Sequence, residues 1–366
     1  MSEGGAPAPW RKAARCFGRN RAAMGGLIAL IAIAAFCVFG PLISPHAYDR
    51  VYPDYVKAPA SLAAHPNEEE ARRAIDGIAA HMHASAASVA IADGSARVAL
   101  EATRPIDERL LAYFERSGLF GKPDIAGRGE DGRALTVTAP INYATFLAGV
   151  DGNGRDLLVR LMIGGRVSLL VGALASFVAL VIGVAWGASA GYLGGRVDMV
   201  MMRIVDILYA LPFIFFVILL IVFFGRHFVL IFVAIGAIEW LDMARIVRGQ
   251  TLSLKLQEFV LAAEALGVGA GGILRRHIVP NLAGPVLAWL TLLAPRIILL
   301  ESFLSFLGLG VQEPMTSLGV LVSEGARGIE DSPGLLFFPA ALLSALLFSL
   351  NFVGDGLRDA LDPRER

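Results

Sequence analysis

Apolar residues run along this chain in six long blocks, at about residues 23–43, 167–190, 204–224, 228–247, 284–308 and 335–354. A helix that crosses a bilayer needs roughly 20 mainly apolar residues, and each block supplies that length. The pattern therefore predicts an all-α membrane protein with six transmembrane helices. The first block follows Arg11, Lys12, Arg15, Arg19 and Arg21, the layout of a signal peptide. Its apolar run exceeds a typical h-region, and no small-x-small cleavage site follows Pro41 and Pro45, so it reads as an uncleaved signal anchor.

Between the first two blocks the pattern changes. Residues 44–155 have proline-rich edges (Pro41, Pro45, Pro53, Pro59, Pro66) and an alanine-rich helical stretch from Glu68 to Ser85. The alternating runs Ser88–Val98 and Ala134–Ala139 predict strands, and Glu108–Arg116 a short amphipathic helix. This segment is expected to be a small extracytoplasmic α+β insertion between helices 1 and 2. The chain then divides into a cytoplasmic tail (1–22), span 1 (23–43), the insertion (44–155), a core with the other five spans (156–355) and a second cytoplasmic tail (356–366).

Composition supports the membrane reading: 56% of the 366 residues are hydrophobic and 17% charged, where soluble domains run near about 25% charged. A formal net charge of zero argues against a nucleic-acid partner. Cys16 and Cys37, one in a basic tail and one in an apolar run, offer no disulfide framework. Charge placement orients the spans. Arg196 and Arg203, then Arg245, Arg248, Lys255, Arg275 and Arg276, then Arg358, Arg364 and Arg366 fall on one side with the basic N-tail, whereas the turn after span 3 holds only Arg226 and His227. Both termini are thus expected in the cytoplasm of a multi-pass inner-membrane protein.

The loop between spans 4 and 5, residues 248–283, carries the most specific signal. Leu256, Phe259, Val260, Ala263 and Leu266 recur at helical spacing and predict one apolar face. Gly267 sits where a glycine ends a helix, and Pro280 and Pro285 mark the start of span 5. A short amphipathic helix in this place suits a groove on another protein, with a helix lying on lipid as the alternative.

Ala262–Ala263, Gly267 and Pro280 in this order resemble the EAA loop of ABC-importer permeases. GVDGNGRDLLVRLMIGGRVS (149–168) resembles the signature of the dipeptide and oligopeptide permeases of DppC/OppC type, with Val150 where that signature has Thr. Residues 191–212, 300–319 and 351–364 resemble further hallmark segments, and 240–267 favours the oligopeptide branch over the dipeptide and nickel branches. The resemblance implies a type I ABC-importer permease fold working by alternating access. It implies four kinds of partner: a second homologous permease, two ABC ATPase subunits, an extracytoplasmic peptide-binding protein and the lipid bilayer. Glu258, Phe259, Ala262, Ala263, Glu264, Ala265, Leu266, Gly267 and Pro280 would then couple to the ATPase, and Asp151, Gly154, Arg155 and Asp156 would hold the turn into span 2. Gly269, Gly271 and Gly272 each cost a helix roughly 1 kcal/mol relative to alanine, so the second half of the loop is expected to order only on docking.

This chain is not expected to bind nucleotide itself. Gly121–Lys122 is followed by Pro123 rather than completing a P-loop, and no strand precedes the GVGAGG run. ATP and Mg are therefore assigned to the partner ATPases, and no catalytic residue or metal site to this chain. His81-Met82-His83, with His65 nearby, is read as helix surface, because residues two apart face different sides of a helix. Ionisable residues in spans are costly and usually face a bundle interior or an aqueous path. Asp242 and Arg245 are read as forming internal ion pairs that lock helices together or as reaching the cytoplasmic interface. Arg296 and Glu301 are candidates for a polar translocation path, with internal ion pairing the alternative. A secondary transporter would require inverted repeats and interrupted half-helices at matching positions, and neither is visible. An enzyme or receptor built on the insertion would require a pocket or catalytic set in 60–140, which shows only scattered polar residues.

Overall fold

The computed structural model describes residues 9–361 apart from 130 and 226; the side chains of residues 9–13, 213, 228 and 231 also lie outside the description. Arg226, Arg364 and Arg366, and the side chains of Arg11 and Lys12, fall among these. Two compact units are present. One comprises the chain up to Ile43, Leu161–Arg327 and the chain from Leu336 on; the other comprises Ser44–Arg160 and Gly328–Leu335.

The chain begins with α1 (Pro9–Arg19) and α2 (Arg21–Ile43). The second unit then contributes α3 (Glu68–His81), β1 (Ala84–Ala92), β2 (Ser95–Ala102), α4 (Ala112–Arg116), β3 (Asp124–Arg128) and β4 (Ala134–Pro140). Next come α5 (Leu157–Leu193), α6 (Gly195–Tyr209), α7 (Phe213–Phe224) and α8 (Phe228–Lys255). The loop helices α9 (Glu258–Ala265) and α10 (Ala270–Ile273) lead into α11 (Val279–Phe306), followed by α12 (Leu318–Arg327) and α13 (Gly334–Leu361).

Among the described residues, four helices are long and apolar enough to cross a membrane: Arg21–Ile43, Leu157–Leu193, Ala270–Phe306 and Gly334–Leu361. A fifth crossing arises if the bent pair α6–α7 is one span. The continuous span expected over 204–224 is in fact broken: the two helices meet at 86°. Pro212 explains the break, because it lacks an amide donor and disfavours helical backbone at Leu211 before it. Helix α8 is 28 residues long but carries Glu239, Asp242 and Arg245 in its apolar stretch, which keeps it outside that set.

Helix α5 meets α8 through a stripe of glycines four residues apart. A Cβ on Gly183 would lie 2.5 Å from Met243 Cγ, one on Gly187 2.9 Å from Val247 Cβ, and one on Gly191 2.9 Å from the Arg248 carbonyl oxygen. Small residues at this spacing let helix backbones approach closely, which is how membrane helices gain packing without a hydrophobic driving force. Buried Val171, Ala175, Ile235, Met243, Ala244, Ile297 and Leu304 fill the surrounding core.

In the second unit a four-stranded antiparallel sheet has the order β1-β2-β4-β3. Ala96, Val98 and Leu100 pair with Ala139, Val137 and Leu135, and all six point into one core with Ile75, Phe114, Phe120 and Phe146. The run Ser88–Val98 is two strands rather than one. Asp93 and Gly94 both have positive φ (48° and 71°), as a two-residue type I′ hairpin turn requires. The helix expected to reach Ser85 stops at His81, and His83 has φ 54° before β1 starts. Glu108–Arg116 splits into a 3₁₀ turn (Glu108–Leu111) and α4, and β3 is an element the alternation does not reveal. Asn67 and Glu70 close a reciprocal capping box at the start of α3.

In the same unit, the chain before α3 pairs with the chain after β4. His65 and Ala144 exchange both backbone hydrogen bonds at 2.8 Å, the Ser61 amide donates to the Phe146 carbonyl, and the Val150 amide to that of Ala58.

Candidate functional site

Helix α8 ends where Lys255 Nζ donates to the Tyr192 carbonyl at 2.7 Å. Gln257 is extended, and α9 begins one residue later. The single apolar face expected here divides in two. Val260 and Ala263 are buried against a cluster with Ile273, Ile278 and Leu282. Leu256 (75% exposed), Leu261 and Leu266 (84% exposed) stay exposed, and Phe259 is half-exposed beside the His277 ring. Sequence spacing groups all these residues together; only the return of α10 and α11 beneath α9 decides which of them are covered.

Gly267 ends α9 with φ +79°. Its amide donates to the Glu264 carbonyl and the Val268 amide to that of Ala263, the two bonds of a Schellman motif. The glycine-rich half of the loop, expected to order only on docking, is helical in this structure. Ala270–Phe306 forms one 37-residue helix, with a π turn at Leu274–Ile278. That wider turn lies just before Pro280, which has no amide to offer the Arg276 carbonyl.

The signature turn lies in the second unit. Asp151 is 4% exposed. Its Oδ1 accepts from the amides of Asn153 and Arg155, both at 2.8 Å, and its Oδ2 from Arg155 Nε at 3.1 Å and Arg160 Nη1 at 2.6 Å. Asp156 caps α5 by accepting from the Leu158 amide at 2.7 Å, and its other oxygen lies 2.5 Å from His46 Nδ1. Gly154 has φ +81°, and a Cβ there would lie 2.8 Å from the Tyr52 carbonyl oxygen. All four signature residues thus share one structural knot. His46 is a member that sequence reasoning missed; 110 residues separate it from Asp156 and no local pattern marks it.

The intramembrane charges fall into two groups. Arg296 Nη1 donates to Asp242 Oδ2 at 2.9 Å, and Arg296 Nε lies 3.6 Å from Glu239 Oε1. Arg245 pairs with Asp206 at 2.9 Å, and Arg248 grips both oxygens of Asp198 at 2.5 and 2.6 Å. Arg296 and Glu239 line a cavity of about 560 Å³ with Tyr209, Phe216, Leu299 and Phe303. Glu301, although on the same helix as Arg296, does not share that cavity's lining. It is fully buried, accepting from Ser305 Oγ at 2.7 Å and Ser168 Oγ at 3.3 Å. Ser168 also accepts from the Leu318 amide at 3.1 Å, so this cluster ties α5, α11 and α12 together. The i, i+4 spacing of Glu301 and Ser305 was a usable signal for part of it.

In the second unit, His65 Nδ1 lies 3.0 Å from Glu70 Oε2, and His81 Nδ1 meets the Gly77 carbonyl at 2.7 Å. Among the described residues, no group of three or more His, Cys, Asp or Glu side chains is placed to hold a metal.

The sequence profile of the family described as "Binding-protein-dependent transport system inner membrane component" matches residues 183–366. That of the "N-terminal TM domain of oligopeptide transport permease C" matches residues 8–63. The oligopeptide transport system permease protein OppC of Salmonella typhimurium is 60% identical over 229 residues, 63% of this chain and 76% of that protein. Its Escherichia coli K12 counterpart is 56% identical over 233 residues, 64% of this chain and 77% of that protein. The dipeptide transport system permease protein DppC of Bacillus subtilis is 46% identical over 219 residues, 60% of this chain and 68% of that protein. Among solved structures, an inward-facing MetNI methionine ABC transporter aligns with 56% of this chain and 98% of its own at 19% identity, with a TM-score of 0.47.

Proposed function

Because the chain belongs to the binding-protein-dependent transport system inner membrane component family, we propose that it is a permease subunit of an ATP-driven oligopeptide importer. The oligopeptide assignment draws on the relatives at 56–60% identity, which exceed the dipeptide relative at 46%. Six spans are assigned: α2, α5, the bent pair α6–α7, α8, α11 and α13. Helix α8 qualifies because Asp242, Arg245 and Arg248 are each paired to a charge on α6 or α11, which lowers the cost of holding them in a bilayer. With the basic N-tail inside, both termini and α9 lie in the cytoplasm and the unit 44–160 lies outside.

One observation carries the coupling role: α9 is a rigidly ended helix flanked by Leu256 and Leu266, 75% and 84% exposed, which the described residues leave uncovered. Each such side chain stabilises a contact by about 1.5–3 kcal/mol when fully buried. An ATPase groove is the occupant proposed, and ATP with Mg is bound there rather than in this chain. Glu258, Ala262, Glu264 and Ala265 share the exposed surface, and Pro280 sits past the π turn at the start of α11. The loop transmits work only if its docking differs between the two states of the ATPase pair. A second homologous permease completes the pathway, and an extracytoplasmic peptide-binding protein delivers substrate. Arg296 is assigned to the path and Glu301 to the packing of α5, α11 and α12.

Reconstitution of this chain with the second permease, both ATPases and the binding protein in vesicles tests the reading. ATP-dependent uptake of labelled oligopeptide that requires every component is expected. Uptake without the ATPases, driven by an ion gradient, would overturn it.

A further inference from the structure

We propose that the cavity bordered by α6, α7, α8 and α11 receives the α-ammonium group of a peptide in transit, with Glu239 as its counter-ion; this rests on the import reading above. Glu239 is 4% exposed, yet its Oε2 has no hydrogen-bond partner among the described residues. A buried carboxylate oxygen left without a donor is costly, so a missing donor is the economical explanation. Arg296 does not supply it. Its Nη1 is committed to Asp242 at 2.9 Å, and its Nε stands 3.6 Å from the other oxygen of Glu239, beyond hydrogen-bond reach.

The charge balance selects the ligand's sign. With Glu239 ionised, the set of Glu239, Asp242 and Arg296 carries one negative charge. Arg245 and Asp206 neutralise each other at 2.9 Å, and Arg245 lies over the ring of Tyr209, a lining residue, at 4.2 Å. Helix α6 ends at Tyr209, and a helix C-terminus carries partial negative charge. The net charge and the helix end both favour a cation. The remaining lining is apolar and aromatic (Phe216, Leu299, Phe303), suited to side chains of varied kind. The volume of about 560 Å³ falls within the range of small-molecule sites, about 300–1,000 Å³. A free peptide N-terminus is the one cation every linear oligopeptide offers, whatever its sequence. A carboxylate placed for it would serve a permease that does not read side chains.

The test uses the complete importer in vesicles, with the binding protein saturated by a tetra-alanine peptide or by its N-acetylated form. Binding-protein preference cancels when each variant is compared with wild type on the same probe. Glu239→Gln is expected to slow import of the free peptide about tenfold or more, the worth of one charged hydrogen bond. Import of the acetylated peptide should change less than about twofold. Glu239→Asp should restore much of the difference. Equal losses on both probes would mean that Glu239 only positions Arg296, and no change on either would remove it from the path; both overturn the proposal. Leu299→Lys keeps Glu239 and places a competing ammonium in the cavity, so the same selective loss is expected even if Glu239→Gln fails to assemble. An unselective Leu299→Lys overturns the proposal as well. Failure of the wild type to import either probe, with its ATPases active, would instead sink the import reading itself.

Discussion

Asp151 gathers four donors from Asn153, Arg155 and Arg160 within a span of nine residues. Breaking a buried pair of this kind costs about 3–5 kcal/mol, so Asp151→Ala should lower the unfolding temperature of the purified protein by several degrees. Asp151→Asn keeps one acceptor oxygen and should lie between. An unshifted melt for Asp151→Ala would deny the knot its structural role. Gly267 is the second telling residue. Its φ of +79° costs any L-residue about 1–2 kcal/mol, but a Cβ there meets nothing within 4 Å. Gly267→Ala should therefore retain most uptake. Gly267→Arg should insert normally, lose the ATPases on co-purification and reduce uptake to background; normal uptake would sink the coupling assignment. Residues with local causes were legible: Gly267 ends an apolar helical run, and Asp156 precedes one. The partners were not, because His46 reaches Asp156, and Ser168 reaches Glu301, only through the tertiary fold.

Elements were legible where an apolar run and a helix coincide, as in α2, α5, α11 and α13. The break between α6 and α7 was not, since its apolar run continues across Pro212 and hides the change of direction. The hairpin at Asp93–Gly94 was hidden likewise by alternation on both sides of the turn. The apolar pattern passes over the four-residue spacing of Gly183, Gly187 and Gly191 at which α5 meets α8, and that contact yields a prediction. Gly187→Leu drives a side chain into Val247 and the Arg248 backbone, so the folded species should vanish from size-exclusion profiles. Gly249→Leu, where a Cβ meets nothing within 4 Å, should leave the profile unchanged; equal behaviour of the two variants would refute the close approach.

For the whole molecule, composition and periodicity led to two regions of different character; the second compact unit of the structure starts at Ser44. They did not reveal that Gly328–Leu335 belongs to that unit, because Lys57 Nζ and Asp331 Oδ2, 2.5 Å apart, come from opposite ends of the chain. The division permits a sharp test of the proposed topology. His65 and Ala144 exchange both backbone hydrogen bonds, which sets their Cα atoms about 5.5 Å apart, a gap that a two-residue Asn-Gly turn closes. Residues 66–143 can therefore be replaced by that turn. The ladder below remains, with the amides of Ser61, Val150, Lys57 and Tyr52 donating to the carbonyls of Phe146, Ala58, Asp151 and Gly154. If this unit faces outward and α9 faces the cytoplasm, the excision removes nothing that touches an ATPase. The shortened chain should then co-purify with the ATPases in wild-type yield, and its basal ATP hydrolysis should match wild type. A correctly inserted excision variant that loses the ATPases would place both surfaces on one side of the membrane, and the assignment of α9 as the coupling element would fall with the topology.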